Sequence, residues 1–267
     1  MKVKGKVIVV TGAGSGMGRE ITLELVRRGA KVAGVDMHKA ALNETAKLVK
    51  ELGGKMSIHA MDITNEKAVS ALPENVKKEL GIADGLINNA GIIQPFVKIN
   101  DLDFAAAEKV MNVNFYGPLR LIKAFLPGLL KRKEAHILNV ASMGAYAPVP
   151  GQSIYGASKA AIKLMTEGLR SELLETKVGV TVVFPGATAT NIAVNSGMTN
   201  MTADSADAGK FKQTPADVAA KMMVDAIENN TPRITTGQDA KMMDIFTRLN
   251  PVWAAELIFK QMKSLLG

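Results

Sequence analysis

Seven short runs rich in β-branched residues, separated by stretches with helical apolar spacing, constrain this chain more than any other feature. The runs cover residues 7–10, 32–35, 56–61, 85–87, 136–140, 180–184 and 234–236. Helix-period segments fall at roughly 17–28, 39–52, 66–80, 103–131, 153–176 and 215–229. Strands that alternate with helices pair in parallel, because a long crossover returns each strand to the same edge direction. The strand cores VIVV and TVVF are apolar at every position, as a sheet covered on both faces requires. No linker-like stretch or internal repeat divides the 267 residues. The pattern predicts one doubly wound α/β domain of about seven parallel strands with helices on both faces.

Two segments depart from the alternation. Residues 190–212 carry small and polar side chains with no sustained period, which predicts a long functional loop, a lid over whatever lies beside it. Residues 240–267 form a tail whose Trp253, Leu257, Ile258 and Met262 recur at near-helical spacing. The tail is expected to pack on the same domain or on a partner subunit. Lys260 and Lys263 interrupt its apolar stripe, so attachment to a membrane surface is the lesser expectation.

Composition excludes several classes. With no cysteine, there is no disulfide framework, no thiolate nucleophile and no cysteine-ligated metal; no metal is expected, and a cytoplasmic location is. The net charge of +8 invites a nucleic-acid reading, but the basic residues are dispersed and aromatics are only 4% of the chain, too few for a stacking platform. The apolar run before Thr11 is too short for a signal-peptide core or a membrane span.

The first strand runs into TGAGSGMG at residues 11–18 and then into a helix. Glycines in such a turn let a pyrophosphate approach the backbone, and the helix N-terminus favours its charge. The pattern is TGxxxGxG, with Met17 where a GxGxxG motif has glycine. It makes Thr11, Gly12, Ser15, Gly16, Met17 and Gly18 candidate contacts for a dinucleotide. Asp36 ends the second strand, twenty residues beyond Gly16, followed by Met37. A carboxylate there accepts ribose hydroxyls and repels a 2′-phosphate, so NAD is expected over NADP. Arg19, His38 and Lys39 are the nearby cations that weigh the other way. Asp62 and Ile63 follow the third strand and are candidates for an adenine pocket; Asn89, Ala90 and Gly91 follow the fourth, at the crevice end of the sheet.

Tyr155 and Lys159 lie one helical turn apart in YGASK, on the same face of a helix. An ammonium held near a phenol favours the phenolate, which makes the pair able to exchange a proton with an alcohol or carbonyl. Ser142 ends the fifth strand thirteen residues earlier, where its hydroxyl can hold a substrate oxygen. Asn114, amid apolar neighbours in NVNFYG, is a buried amide. Ser158 sits in GASKA rather than in a GxSxG elbow, which argues against a serine hydrolase.

With these motifs together the chain closely resembles the short-chain dehydrogenase/reductase family, in its TGxxxGxG and YxxxK branch, over about residues 5–237. The resemblance implies a tetrad of Asn114, Ser142, Tyr155 and Lys159, with Asn114 helping to hold a water relay to Lys159 and Lys159 binding the nicotinamide ribose. It also implies that Asn89 and Gly91 line the cofactor site, and that Pro185, Gly186, Thr188 and Thr190 form the segment that meets the carboxamide. Position 188 is Thr where the family often has an aliphatic residue. A homodimer or homotetramer through the segments 103–131 and 153–176 is expected on the same ground.

The sequence therefore points to an NAD-dependent oxidoreductase interconverting a secondary alcohol and a ketone. Met143, Ala145, Tyr146, Val149, Pro150 and Ile192 predict a largely apolar substrate pocket. The alternatives are an NADP-dependent carbonyl or ketoacyl reductase and, from another class, a catalytically silent NAD-binding sensor or scaffold. Residues 1–239 would form the cofactor-binding and catalytic domain, and 240–267 the helical tail.

Overall fold

The computed structural model describes residues 1–189, 192, 196 and 213–263. The expected lid at 190–212, with Thr190, therefore lies almost wholly outside the described residues. The strands are β1 (Val7–Thr11), β2 (Lys31–Asp36), β3 (Lys55–Ala60), β4 (Gly85–Asn88), β5 (Ala135–Val140), β6 (Val178–Pro185) and β7 (Arg233–Thr236). They form one sheet in the order β3-β2-β1-β4-β5-β6-β7, with every pairing parallel.

Alternate residues of the central strands serve opposite cores, as a pleated strand requires. On β1, Ile8 and Val10 face one cluster while Val7 and Val9 face the other. The first cluster is closed by α1 (Gly16–Arg27), α2 (Lys39–Glu51) and α7 (Ala216–Glu228), through Ile21, Leu42 and Val224. The second is closed by α3 (Glu66–Leu80), α5 (Gly117–Leu129) and α6 (Ser153–Glu172), through Leu72, Phe125 and Leu169.

The helix expected over 103–131 is not uniform. It begins as α4 (Phe104–Met111), widens into a π-helical stretch at Asn112–Tyr116, and resumes as α5. Such wide turns insert a residue into the helical ladder and occur preferentially at functional positions. Here the stretch contains the buried Asn114.

The tail is two helices, α8 (Gln238–Leu249) and α9 (Pro251–Met262). Asn250 adopts an extended conformation before Pro251, and its side chain accepts a hydrogen bond from Trp253 N at 3.0 Å. A proline at the first helical position with an Asn cap before it ends one helix and starts another. The tail docks through Arg233, whose guanidinium makes two 2.8 Å hydrogen bonds to Asp244. Met243, Phe246, Leu257, Ile258 and Met262 then pack on Met143, Tyr146 and Ala147. Among the described residues no helix is long and apolar enough to cross a membrane.

Candidate active site

Strand order reverses between β1 and β4, and the crevice above their carboxyl ends is where ligands of open α/β sheets bind. The loops after both strands are locked together. Thr11 Oγ1 accepts from the backbone N–H of Asn89 and of Ala90, each at 3.0 Å, and Asn89 Nδ2 donates to Thr11 O at 2.9 Å. Asn89 thus lies beneath the glycine turn, against the spaces left by the missing side chains of Gly12 and Gly18. Gly12 has φ of 69° and Gly16 of 49°, a backbone conformation that strongly favours glycine. A methyl at Gly18 would run into the Gly12 carbonyl. The turn is therefore a narrow backbone cradle at the start of α1, the shape and polarity that suit a pyrophosphate. Ser15 and Met17 flank it, both partly exposed.

Asp36 closes the side of this cradle. Its Oδ2 accepts from Gly14 N and its Oδ1 from His38 N, both at 3.0 Å. A carboxylate offers about four lone-pair sites, so both oxygens keep acceptor capacity towards a ribose. Arg19, one of the cations that weighed towards a 2′-phosphate, is engaged elsewhere. It donates to Gly14 O at 2.6 Å, to Thr45 Oγ1 at 3.1 Å and to Glu44 at 2.9 Å. Met37 is 65% exposed at the lip. Asp62 Oδ1 accepts from Thr64 N at 2.8 Å. The side chain of Ile63, a candidate for the adenine pocket, is 6% exposed and packs in the second core against Gly117, because that glycine leaves room for it.

Across the crevice, α6 carries Tyr155 and Lys159. The Lys159 ammonium is buried, stands 5.8 Å from the centroid of the Tyr155 ring and donates to Val140 O at 3.0 Å. Burial lowers its pKa to about 8. The phenol of Tyr155 departs from the sequence expectation of a lowered value. Burial pushes it up, and hydrogen bonding with Ser142 opposes the rise only in part. The ammonium meant to lower it is itself desolvated and already paired with a carbonyl. Ser142 follows β5 and caps the short turn Met143–Ala145, accepting from Gly144 N at 3.1 Å. With that lone pair used, its own hydrogen is the one that favours the Tyr155 phenolate, and it can turn to a substrate oxygen instead. Gly144 keeps the gap open, since a Cβ there would sit 3.4 Å from both Ser142 Oγ and Tyr155 Cε1.

Asn114 is 1% exposed and makes three hydrogen bonds, which leave one acceptor site on its Oδ1. It accepts from Ile92 N and donates to Ile92 O, each at 2.9 Å, and donates to Ser158 Oγ at 3.0 Å. A Cβ on Gly91 would lie 3.2 Å from both Asn114 Oδ1 and Lys159 Nζ. Gly91 thus leaves a polar gap between those two groups.

The segment after β6 is held by a residue that sequence reasoning missed. Asp239, in the first turn of α8, accepts from Ala187 N at 2.7 Å and fills the space that a side chain on Gly186 would need. Pro185 ends the strand, Gly186 follows it, and Thr188 donates to Gly186 O at 3.1 Å. Only the G-x-D spacing at the head of the tail hints at Asp239. Tyr146, expected in the pocket wall, instead turns its hydroxyl to Ala240 O at 2.8 Å and packs 5.4 Å from the Phe184 ring. It braces the wall from behind, where the tail covers it.

Comparison with known proteins agrees with this geometry. A family model described as short chain dehydrogenase matches residues 6–201. SadH of Mycobacterium tuberculosis, which carries the name of an oxidoreductase, is 34% identical over 252 residues, 92% of this chain and 91% of its own. HetN of a Nostoc species, named a ketoacyl reductase, is 33% identical over 239 residues, 88% of this chain and 79% of its own. A short-chain dehydrogenase/reductase from Burkholderia phymatum, solved in complex with NAD, superposes with a TM-score of 0.83 at 25% identity, covering 93% of this chain and 96% of the other. A short-chain dehydrogenase from Burkholderia cenocepacia, solved in complex with NADP, gives 0.80 at 27% identity, covering 97% and 99%.

Proposed function

We propose, since the chain belongs to the short-chain dehydrogenase/reductase family of NAD(P)-dependent oxidoreductases acting on CH–OH groups, that it interconverts an apolar secondary alcohol and its ketone with NAD. The observation that carries the reading is that Ser142 Oγ and the Tyr155 ring face the same gap beside Gly144, with the Lys159 ammonium 5.8 Å from the centroid of that ring.

The glycine turn, Asp36 and the 185–188 segment are the residues that would hold the dinucleotide. When bound, its nicotinamide would supply the hydride acceptor and a positive charge. Tyr155 Oη takes the hydroxyl proton of the alcohol as general base, or returns it to the ketone as general acid. Ser142 donates its hydrogen to the same oxygen and keeps that oxygen in reach of Tyr155. In the reacting state Lys159 would add a positive charge in favour of the phenolate, and Asn114 with the gap at Gly91 would help to hold a relay by which the proton reaches Lys159. Thr11 and Asn89 act beneath the cradle, by keeping the two strand ends together.

Asp36 with the engagement of Arg19 favours NAD, while the NADP complex of the Burkholderia cenocepacia relative makes the phosphorylated cofactor the comparison to run. The apolar character of Val149 and Pro150, expected in the pocket wall, supports a lipophilic substrate. Assembly as a homodimer or homotetramer is supported by Phe104, Tyr116 and Leu164, which lie 76%, 45% and 69% exposed on the helices expected at the interface. Light scattering would give a multiple of the monomer mass, and a monomer at micromolar concentration would contradict that assembly.

The test of activity is a panel of apolar secondary alcohols offered with NAD and with NADP, read by absorbance of the reduced cofactor. Turnover with NAD at higher kcat/KM than with NADP is expected. Absence of turnover with both, in protein that binds NAD, would favour the silent sensor.

A further inference from the structure

The N-terminus of α6 presents backbone donors that the helix itself does not satisfy. Tyr155 lies in the first turn of that helix, where the N–H groups have no intrahelical partner. The residue in the capping position, Gln152, makes no side-chain cap of its own. The cap comes from sixty residues earlier. Gln94 Oε1 accepts from Ile154 N at 2.8 Å and from Tyr155 N at 3.0 Å, and its Nε2 donates to Gly151 O at 2.9 Å. Gln152 returns the contact by donating from Nε2 to Gln94 O at 2.7 Å. Both glutamines are buried, with 1% and 4% of their surface exposed.

The other end of the Tyr155 residue is held too. Ser158 Oγ donates to Tyr155 O at 2.7 Å, and Asn114 donates to that same Ser158 oxygen at 3.0 Å. Asn114 is in turn bonded to both backbone groups of Ile92, two residues before Gln94. The segment 92–94, which continues from β4, therefore grips Tyr155 by its N–H directly and by its carbonyl through two side chains. An amide suits position 94 because only a group with both an acceptor and a donor can serve two N–H groups and a carbonyl at once.

We propose that Gln94 is a positioning residue for Tyr155, setting the register of the first turn of α6 and with it the placement of the phenol against Ser142 and Lys159. The inference rests on the reading of Tyr155 as the proton-transfer group. Its consequence is that a loop beside the cofactor site, rather than α6 alone, fixes the reacting oxygen. Displacements of about an ångström in such a group are enough to lower turnover by large factors.

Two variants of the full chain test it. Gln94→Leu keeps roughly the volume and removes the acceptor; Gln94→Glu keeps the acceptor oxygens and loses the Nε2 donor. Three quantities are read: kcat with the best alcohol of the panel and NAD, NAD affinity by calorimetry, and the phenolate absorbance of Tyr155 against pH. The last is isolated as the difference between each variant and its Tyr155→Phe counterpart, and needs no substrate. Gln94→Leu is expected to lower kcat on the order of tenfold, with NAD affinity within about twofold. Gln94→Glu is expected to recover most of kcat and to move the Tyr155 titration upward by about half a pH unit, because a negative charge close by disfavours the phenolate. A folded Gln94→Leu protein with parental kcat and parental titration would overturn the proposal. Should that variant fail to fold, an unmoved titration in Gln94→Glu overturns it equally. Parental turnover in Tyr155→Phe would sink the reading of Tyr155 and this inference with it, whereas a silent Tyr155→Phe beside an unaffected Gln94→Leu sinks this inference alone.

Discussion

Asp36 serves two functions at once: it braces the glycine turn through Gly14 N and leaves lone pairs towards the crevice. Asp36→Ala should therefore lower kcat/KM for NAD and, by removing a charge that repels a 2′-phosphate, narrow the preference over NADP by about tenfold or more. An unchanged ratio of the two kcat/KM values would show that another group makes the discrimination. The placement of residues of this kind was legible because it follows from local order: a carboxylate at a strand end, a phenol and an ammonium one turn apart. Gln94 and Asp239 were not legible. Each acts on a backbone group far away in sequence, and apart from the G-x-D spacing before Asp239 nothing distinguishes either from a surface residue. The pKa of Tyr155 failed for a related reason, since sequence shows that a lysine is near but not that burial and Val140 O already occupy it.

The element that most narrowly limits substitution is the turn into α1. Gly18→Ala places a methyl against the Gly12 carbonyl and beside Asn89 Nδ2. Relief of such overpacking costs about 1–3 kcal/mol, and it must come from moving the cradle. Gly18→Ala should thus weaken NAD binding at least about tenfold while the chain stays folded, by calorimetry and circular dichroism respectively. Parental affinity would mean that the cofactor does not lie on this turn. The turn itself was readable, because glycine spacing after an apolar strand is a direct record of backbone demand. The break at Asn250 and Pro251 was also written in residue types. The π-helical stretch at Asn112–Tyr116 was not, since NVNFYG continues the apolar helical period and the inserted residue is set by what Asn114 must reach.

At the scale of the whole molecule, alternation of strand and helix made the parallel sheet readable, and continuously apolar strands made both covered faces readable. Buried polar groups are where that pattern is silent. His136, on β5 at the end of the sheet away from the crevice, is 2% exposed with Nε2 2.8 Å from Thr181 Oγ1. Burial, helped by the charges of the N-terminus and Arg170, lowers its pKa from 6.5 to about 3. Because the folded value is the depressed one, the unfolded chain binds the extra proton between these limits. The fold's advantage is present above about pH 6.5 and is lost as pH falls from there towards about 3. Between about pH 7 and pH 5 the loss amounts to roughly 2 kcal/mol. Denaturant midpoints should fall accordingly, and His136→Gln should flatten that slope. An equal slope in the variant would assign the acid sensitivity to other groups.

The proposed reaction depends on Tyr155 as the group that moves the substrate proton. The direct measurement is kcat and NAD affinity of Tyr155→Phe beside the parent, with an alcohol that the parent oxidises. Phenylalanine preserves the ring among its neighbours and removes only the hydroxyl, so NAD affinity should stay within about twofold while kcat falls at least about a hundredfold, the lower range of what general acid–base catalysis contributes. Retention of more than about a hundredth of parental kcat, with NAD still bound, would contradict the account at its centre.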